Sequence, residues 1–295
     1  MTNDTRTTSL KYPTEIAMGT GTGPECIAVG DGPFAYMSSL KTGEIFRVDF
    51  ENGTYEVFHE SLGPTTVGVS LDAYGRLFVC GGIDGSFSVI DTKTRQVIKR
   101  YQLGGEHTFI NDLVHTPRFA YITDSFSPVL YKFPLGPYGE LPSEEEIIRL
   151  PLTGDFQYRY GEAFSDNFNS NGISFTPDKS AVLVVQTNTG KLFRVDTETG
   201  ATTLVDLAGA TVPGGDGLVL EGNTLYVVQN LPNLVSVIDL SDDGQNGTVR
   251  ERWTDERFDT PTAMARFGNR FYFSNARFTT PDPQTADFQL IAVER

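Results

Sequence analysis

The chain alternates apolar and polar residues in short runs, and the runs repeat. One recurring phrase is a strand-like segment opened by a small turn: "TGEIFRVDFENG", "DGSFSVIDTKTR", "SPVLYKFPLG", "TGKLFRVDTETG", "PNLVSVIDLSDDG" and finally "DFQLIAVER". Gly43, Gly85, Gly190 and Asn233 open four of these, at intervals of 42 (Gly43 to Gly85) and 43 (Gly190 to Asn233) residues. A second phrase precedes each one, in the form strand, tight turn, strand: "PECIAVGDGPFAYMSS", "TVGVSLDAYGRLFVCGG", "INDLVHTPRFAYITDS", "NGISFTPDKSAVLVVQT", "DGLVLEGNTLYVVQN" and "TAMARFGNRFYFSNA". The runs are rich in Val, Ile, Phe, Tyr and Leu with a period of two, and turn residues bound them. No long segment carries the 3.6-residue period of a helix.

Six units of three or four antiparallel strands predict an all-β fold, a six-bladed β-propeller. A unit this small cannot bury both faces of its own sheet, so neighbouring sheets must stack around an axis. The segment "LKYPTEIAMG" is expected to add an outer strand to the last unit and close the ring. On this reading residues 10–295 form one domain and residues 1–9 a mobile tail. The longest interruption, "GPYGELPSEEEIIRLPLTGDFQYRYGEAFSDNFNSN", lies between the third and fourth units, with a strand expected from Ile147 to Leu152. Phe156, Tyr158, Tyr160, Phe164 and Phe168 within it point to a packed lid or a wrap against the rim.

Composition narrows the partners. The chain has 295 residues and a net charge of −15. That charge disfavours nucleic acid and anionic membranes and leaves a small-molecule substrate as the expected partner. The oligomeric state is not legible. No apolar run approaches a membrane span, and the first residues lack a secretory signal pattern. The expected location is therefore cytoplasmic, or secreted if a signal was removed before this numbering. Cys26 and Cys80 form neither a metal spacing nor a disulfide framework, and the three histidines (His59, His107, His115) are too scattered for a zinc site.

The candidate chemistry emerges when the first strands of the six units are aligned. The residues at their starts are Glu25, Val67, Asn111, Asn171, Asp216 and Thr262. In a propeller these strands line the axis and run the same way, so their starts form a ring. Four of the six carry hard oxygen ligands, which predicts a Ca²⁺ site, or one for Mg²⁺ or Mn²⁺. Taken singly, the Asn-Asp, Asn-Gly and Asp-Gly pairs (111–112, 171–172, 216–217) read as turns; in register, in a channel, four such groups call for a counter-ion. The second strands return to the same face. There Asp124, Gln229, Asn230 and Asn275 are expected to orient ligands or hold substrate, as are Phe109, Tyr158 and Thr262. His107, four residues before Asn111, is a candidate proton carrier. His115 falls within a strand and reads as packing.

Glu in "PEC", Asn in "IND", Asn in "SNGISFTPDKSAVLVVQTNTGKLFRVDTETG" and Asp in "GDGL" resemble the gluconolactonase and regucalcin (senescence marker protein) family over roughly residues 20–290. Diisopropylfluorophosphatase and the paraoxonases resemble it more distantly. The resemblance implies a six-bladed propeller with a divalent cation held by Glu25, Asn111, Asn171 and Asp216. It also implies Asp216 as base or nucleophile and hydrolysis of a lactone or related ester. Phe109 stands where the sugar-lactonase members carry Arg, which points to a more apolar substrate. Two other readings stay open: a metal-holding isomerase or cyclase acting on an apolar natural product, and a non-catalytic binding propeller.

Overall fold

The computed structural model describes residues 12–295, so the expected tail at 1–9 lies outside the described residues. Six antiparallel sheets form a six-bladed β-propeller. The described residues contain no α-helix, only two 3₁₀ turns at Glu144–Glu146 and Phe164–Asn167. None of their helices is long and apolar enough to cross a membrane.

The innermost strands of blades one to six are Pro24–Val29, Val69–Leu71, Ile110–His115, Ser170–Phe175, Gly215–Glu221 and Pro261–Phe267. Each touches the next, and the sixth touches the first, so they form a closed wall around the axis. The ring is sealed within blade six, where Glu15–Thr20 pairs outside Asp287–Glu294, with Glu15 opposite Ile291 and Thr20 opposite Asp287. The outer strand of blade three is Ile148–Pro151. The short strand Thr153–Gly154 then runs parallel to Ala201–Leu204 and starts the lid on blade four.

Burial on both faces explains why the blades stack: the second strands Phe34–Ser39, Arg76–Cys80, Phe119–Asp124, Val182–Gln186 and Arg270–Asn275 are buried almost throughout instead of alternating as expected. Each blade is apolar on both faces, and six separate apolar clusters fill the six gaps between neighbours. Between blades two and three, for example, Phe78, Phe87, Tyr101 and Phe133 pack edge to face or stacked. Such pairs add to the burial of apolar area that drives the stacking.

One local departure from the alternation positions the site. In blades one, three, four, five and six, the pairing of first and second strands slips by one residue near the start of the first strand. In blade three, Ile110 faces Asp124 and Leu113 faces Ile122, so Asn111 and Asp112 together oppose Thr123. The same β-bulge holds Glu25–Cys26, Asn171–Gly172 and Asp216–Gly217. A bulge re-aims side chains and breaks the simple alternation.

This answers why Asn-Gly and Asp-Gly precede apolar runs here. They are not hairpin turns but bulges whose glycine admits the next blade. A Cβ on Gly172 would lie 2.0 Å from the main-chain oxygen of Asp216. One on Gly217 would lie 2.8 Å from that of Thr262, and one on Gly68 2.5 Å from that of Asn111. Hydroxyls add further stitches between blades. Thr123 Oγ1 donates to Asn171 O at 2.8 Å, Thr187 Oγ1 to Gly215 O at 2.7 Å, and Thr262 Oγ1 to Glu25 O at 2.6 Å.

Candidate metal and substrate site

The four candidate ligands lie in equivalent bulges at one end of the axial channel. Glu25, Asn111, Asn171 and Asp216 are all buried, and Glu25 and Asp216 sense each other electrostatically. Val67 completes the wall without a polar group. Thr262 is fully buried and spends its hydroxyl on Glu25 O and the Ser274 hydroxyl, so it steadies the Glu25 backbone.

The second strands hold the ligands from behind. Asn111 Nδ2 donates to Ser125 Oγ at 2.8 Å. Asn171 Nδ2 donates to Thr187 Oγ1 at 3.0 Å. Asn230 Nδ2 donates to Asp216 Oδ2 at 2.8 Å. With their amide nitrogens so tied, Asn111 and Asn171 keep their amide oxygens for another partner. Among the described residues, no hydrogen bond steadies the Glu25 carboxylate.

Electrostatically the cluster is under-compensated. Burial pushes the Glu25 carboxyl well above the usual range, and the charges of Asp216 and Asp112 push it further. Burial raises Asp216 to about 7, against the hydrogen bond from Asn230 that favours its charged form. Asp112, the second residue of its bulge, is pushed by burial up to about 6. It lies below the ring, where Oδ1 accepts from Leu113 N and Oδ2 from Ile173 N. Among the described residues, no Lys, Arg or His side chain forms an ion pair with any of the three.

Among the described residues, no three His, Cys, Asp or Glu side chains converge as metal ligands. The candidate set brings only two carboxylates, Glu25 and Asp216, and its other two donors are amides. This donor chemistry fits a hard divalent cation: two negative charges, two neutral oxygens, and neither thiolate nor imidazole. Below the ring the channel widens into a cavity of about 350 Å³ lined by Cys26, Val69, Asp112, Ile173, Gly217 and Met264.

The remaining candidate residues divide sharply. Asp124 is fully buried and anchors the mouth loop, with Oδ2 accepting from Thr108 Oγ1 and Oδ1 from the main-chain N–H groups of Phe109, Phe126 and Ser127. Gln229 is spent on Pro213 O and Ser236 Oγ. Asn275 is spent on Arg257 O and Asp259 N. These three hold loops through hydrogen bonds; of the four second-strand candidates, only Asn230 hydrogen-bonds a candidate ligand. His115 packs as expected, edge-on to Phe78 and within 3.2 Å of Leu71 O.

The lid is packed. Tyr158 Oη donates to Asp124 O at 2.7 Å and meets Ser170 Oγ at 2.7 Å. Asn169 ties the lid to the rim by accepting from Arg159 N and donating to Arg159 O. Phe109 is buried in an aromatic cluster with Phe126 and Phe168, and Phe164 packs against it from the lid. His107 is exposed and lines a cavity of about 530 Å³ with Phe126, Ser127, Pro128, Tyr160 and Asn167.

Alignment of first strands could not find Asp112, Asn169, Ser125 or Thr187 as supports. Their signal is adjacency: each stands next to, or directly across the sheet from, a candidate ligand or lid residue.

No protein-family model matches the chain. A Salmonella typhimurium protein described as the uncharacterized protein YncE is 25% identical over 197 residues, covering 65% of this chain and 50% of that protein. The chain thus spans about half the length of the curated relative it matches. Among solved structures, the Malassezia sympodialis allergen Mala s 1 superposes with a TM-score of 0.68 at 14% identity, covering 95% of this chain and 96% of that one. A calcium-binding protein, regucalcin, from Agrobacterium tumefaciens superposes with a TM-score of 0.67 at 15% identity, covering 96% and 94%. At these identities the likeness establishes the propeller fold.

Proposed function

We propose that the protein is a hydrolase of lactones or related esters that depends on a hard divalent cation, Ca²⁺ by preference, held by Glu25, Asn111, Asn171 and Asp216. One observation carries the reading. Two buried carboxylates repel each other at one channel mouth, no cationic side chain among the described residues compensates them, and two amides beside them keep their oxygens unspent. Leaving such charges buried and unpaired is costly, and a divalent ion removes the cost. The calcium-binding description of the regucalcin neighbour supports the choice of ion.

When bound, the cation supplies Lewis-acid polarisation of a substrate carbonyl and charge for the oxyanion that develops there. The chain contributes the rest. Asp216, oriented by Asn230, takes a proton from a water set against the acyl carbon, or attacks that carbon itself; in the second case the ring C–O bond breaks, the leaving oxygen takes a proton from water, and the hydroxide so formed adds to the resulting anhydride and releases Asp216 as carboxylate. In the first case the water oxygen bonds to carbon, the ring C–O bond breaks, and the leaving oxygen takes the proton back. The buried walls of the mouth keep other water out. His107 lies on the lid side of the mouth and has no part in holding the ion.

The test is turnover of a lactone and aryl-ester panel by purified protein before and after chelation, with product mass recorded. Turnover lost on chelation, restored by Ca²⁺, and yielding products one water heavier supports hydrolysis. Product of unchanged mass instead indicates ring closure or isomerisation. No metal-dependent turnover of any member overturns the proposal.

A further inference from the structure

The cavity beside the lid carries an inference about which lactone or ester. It is bounded by His107, Phe126, Ser127, Pro128, Tyr160 and Asn167 on the mouth face of blades three and four. At about 530 Å³ it falls within the range of small-molecule pockets. An aromatic wall joins it to the ring. Phe109, two residues before Asn111, and Phe168, three before Asn171, pack on Phe126 and Phe164. The aromatic cluster thus stands at the cavity edge, on the segments that lead into the first strands carrying Asn111 and Asn171.

The polar atoms of the lining are mostly spent. Ser127 Oγ donates to His107 O. Asn167 Nδ2 donates to Ala163 O, and its Oδ1 accepts from Gly161 N. Tyr160 Oη donates to Phe126 O. Only the His107 imidazole has no hydrogen-bonding partner among the described residues. A polyhydroxylated sugar lactone placed here would leave unpaired most of the hydroxyls it buries. An aryl or alkyl group would leave none.

Exposed side chains agree. Tyr160 and Phe164, both exposed, stand beside the cavity on the lid. The charges of Glu25, Asp112 and Asp216 on the axis disfavour an anionic substrate.

We propose that the cavity of His107, Phe126 and Tyr160 is the subsite for the apolar body of a neutral, aryl- or alkyl-substituted lactone or ester. The inference deepens the hydrolase reading and rests on it.

Two experiments separate the two claims. The first is saturation-transfer NMR with dihydrocoumarin on the full chain held in chelator, where binding is read without turnover. The second is steady-state kinetics with Ca²⁺ on dihydrocoumarin, δ-valerolactone and glucono-δ-lactone. Both use Tyr160→Ala and the conservative Tyr160→Phe. Tyr160 is exposed, so its truncation leaves the core intact. Expected is transfer to the aryl protons, weakened about tenfold by Tyr160→Ala and kept by Tyr160→Phe, since an aromatic contact of about 1.4 kcal/mol is a factor of ten. The ratio of KM for dihydrocoumarin to KM for δ-valerolactone should rise by a similar factor in Tyr160→Ala. Transfer that depends on Tyr160 without turnover of any lactone keeps the subsite and overturns the hydrolase. Turnover with an unchanged KM ratio, or a preference for glucono-δ-lactone, overturns the subsite and keeps the hydrolase.

Discussion

Asn230 Nδ2 donates to Asp216 Oδ2 at 2.8 Å, and both side chains are buried at the axial mouth. Asn230 ends the turn side of the second strand of blade five, and Asp216 sits in the bulge of the first. The bond fixes one carboxylate oxygen, and no hydrogen bond among the described residues takes up the other. Removing such a support typically costs 10–100-fold in metal affinity or activity. Asn230→Leu is therefore expected to weaken calcium binding by about tenfold or more in a calorimetric titration, with the fold unchanged by circular dichroism. Gln229→Leu, which touches only backbone and Ser236, should leave calcium affinity unaltered.

The glycines of the bulges make a stability prediction. Gly172→Ala places a Cβ against the main chain of blade five, which cannot move without dislodging Asp216. Overpacking against backbone should cost about 3 kcal/mol or more. Gly105→Ala, at a site with open space around it, is the control and should be near neutral. Thermal unfolding of the two variants compares them directly; equal melting temperatures would remove the bulge packing from the account.

How much of this was legible follows from the same residues. The blades were, because turn residues bound short apolar strands that recur at a spacing of about 42 residues, even though the second strands are buried on both faces and do not keep a period of two. The ring of candidate ligands was, because equivalent bulges put oxygen-bearing residues at equivalent places in four units. Asp112 was not: in a regular strand neighbours alternate faces, and only a bulge brings Asn111 and Asp112 together opposite Thr123. Asp124, Gln229 and Asn275 looked like Asn230 in sequence. Only three-dimensional hydrogen bonding distinguishes a side chain that supports a ligand from one that holds a loop.

The raised carboxyls imply a pH dependence of stability in cation-free protein. A group whose folded pKa is raised contributes stability that is present below its unfolded pKa and lost as pH rises through the folded value. Asp216 moves from 3.8 to about 7 and Asp112 from 3.8 to about 6. The contribution is thus lost progressively from about pH 4 to pH 7, and Glu25 shifts in the same direction. Chelated protein should melt several degrees higher at pH 5 than at pH 8. Saturating Ca²⁺ should raise the pH 8 value most and narrow the difference. A chelated protein more stable at pH 8 than at pH 5 would contradict the burial of these charges.

The lid is pinned by a few polar contacts. Asn169 bonds both the N–H and the carbonyl of Arg159, and Gln186 reaches Gln157 O. Asn169→Ala should free the segment 155–168 without unfolding the blades. Limited trypsin digestion is expected to cut after Arg159 several-fold faster in the variant, while the melting temperature falls only slightly. Equal cleavage rates would mean that the aromatic packing alone secures the lid.

Metal content per chain tests the central claim most directly. Protein dialysed against micromolar CaCl₂ and analysed by plasma mass spectrometry should carry one calcium per chain, and Glu25→Gln/Asp216→Asn should carry none while keeping its β-sheet spectrum. A wild-type chain that retains no divalent cation, or a double variant that retains as much as the wild type, would contradict a cation held by Glu25, Asn111, Asn171 and Asp216.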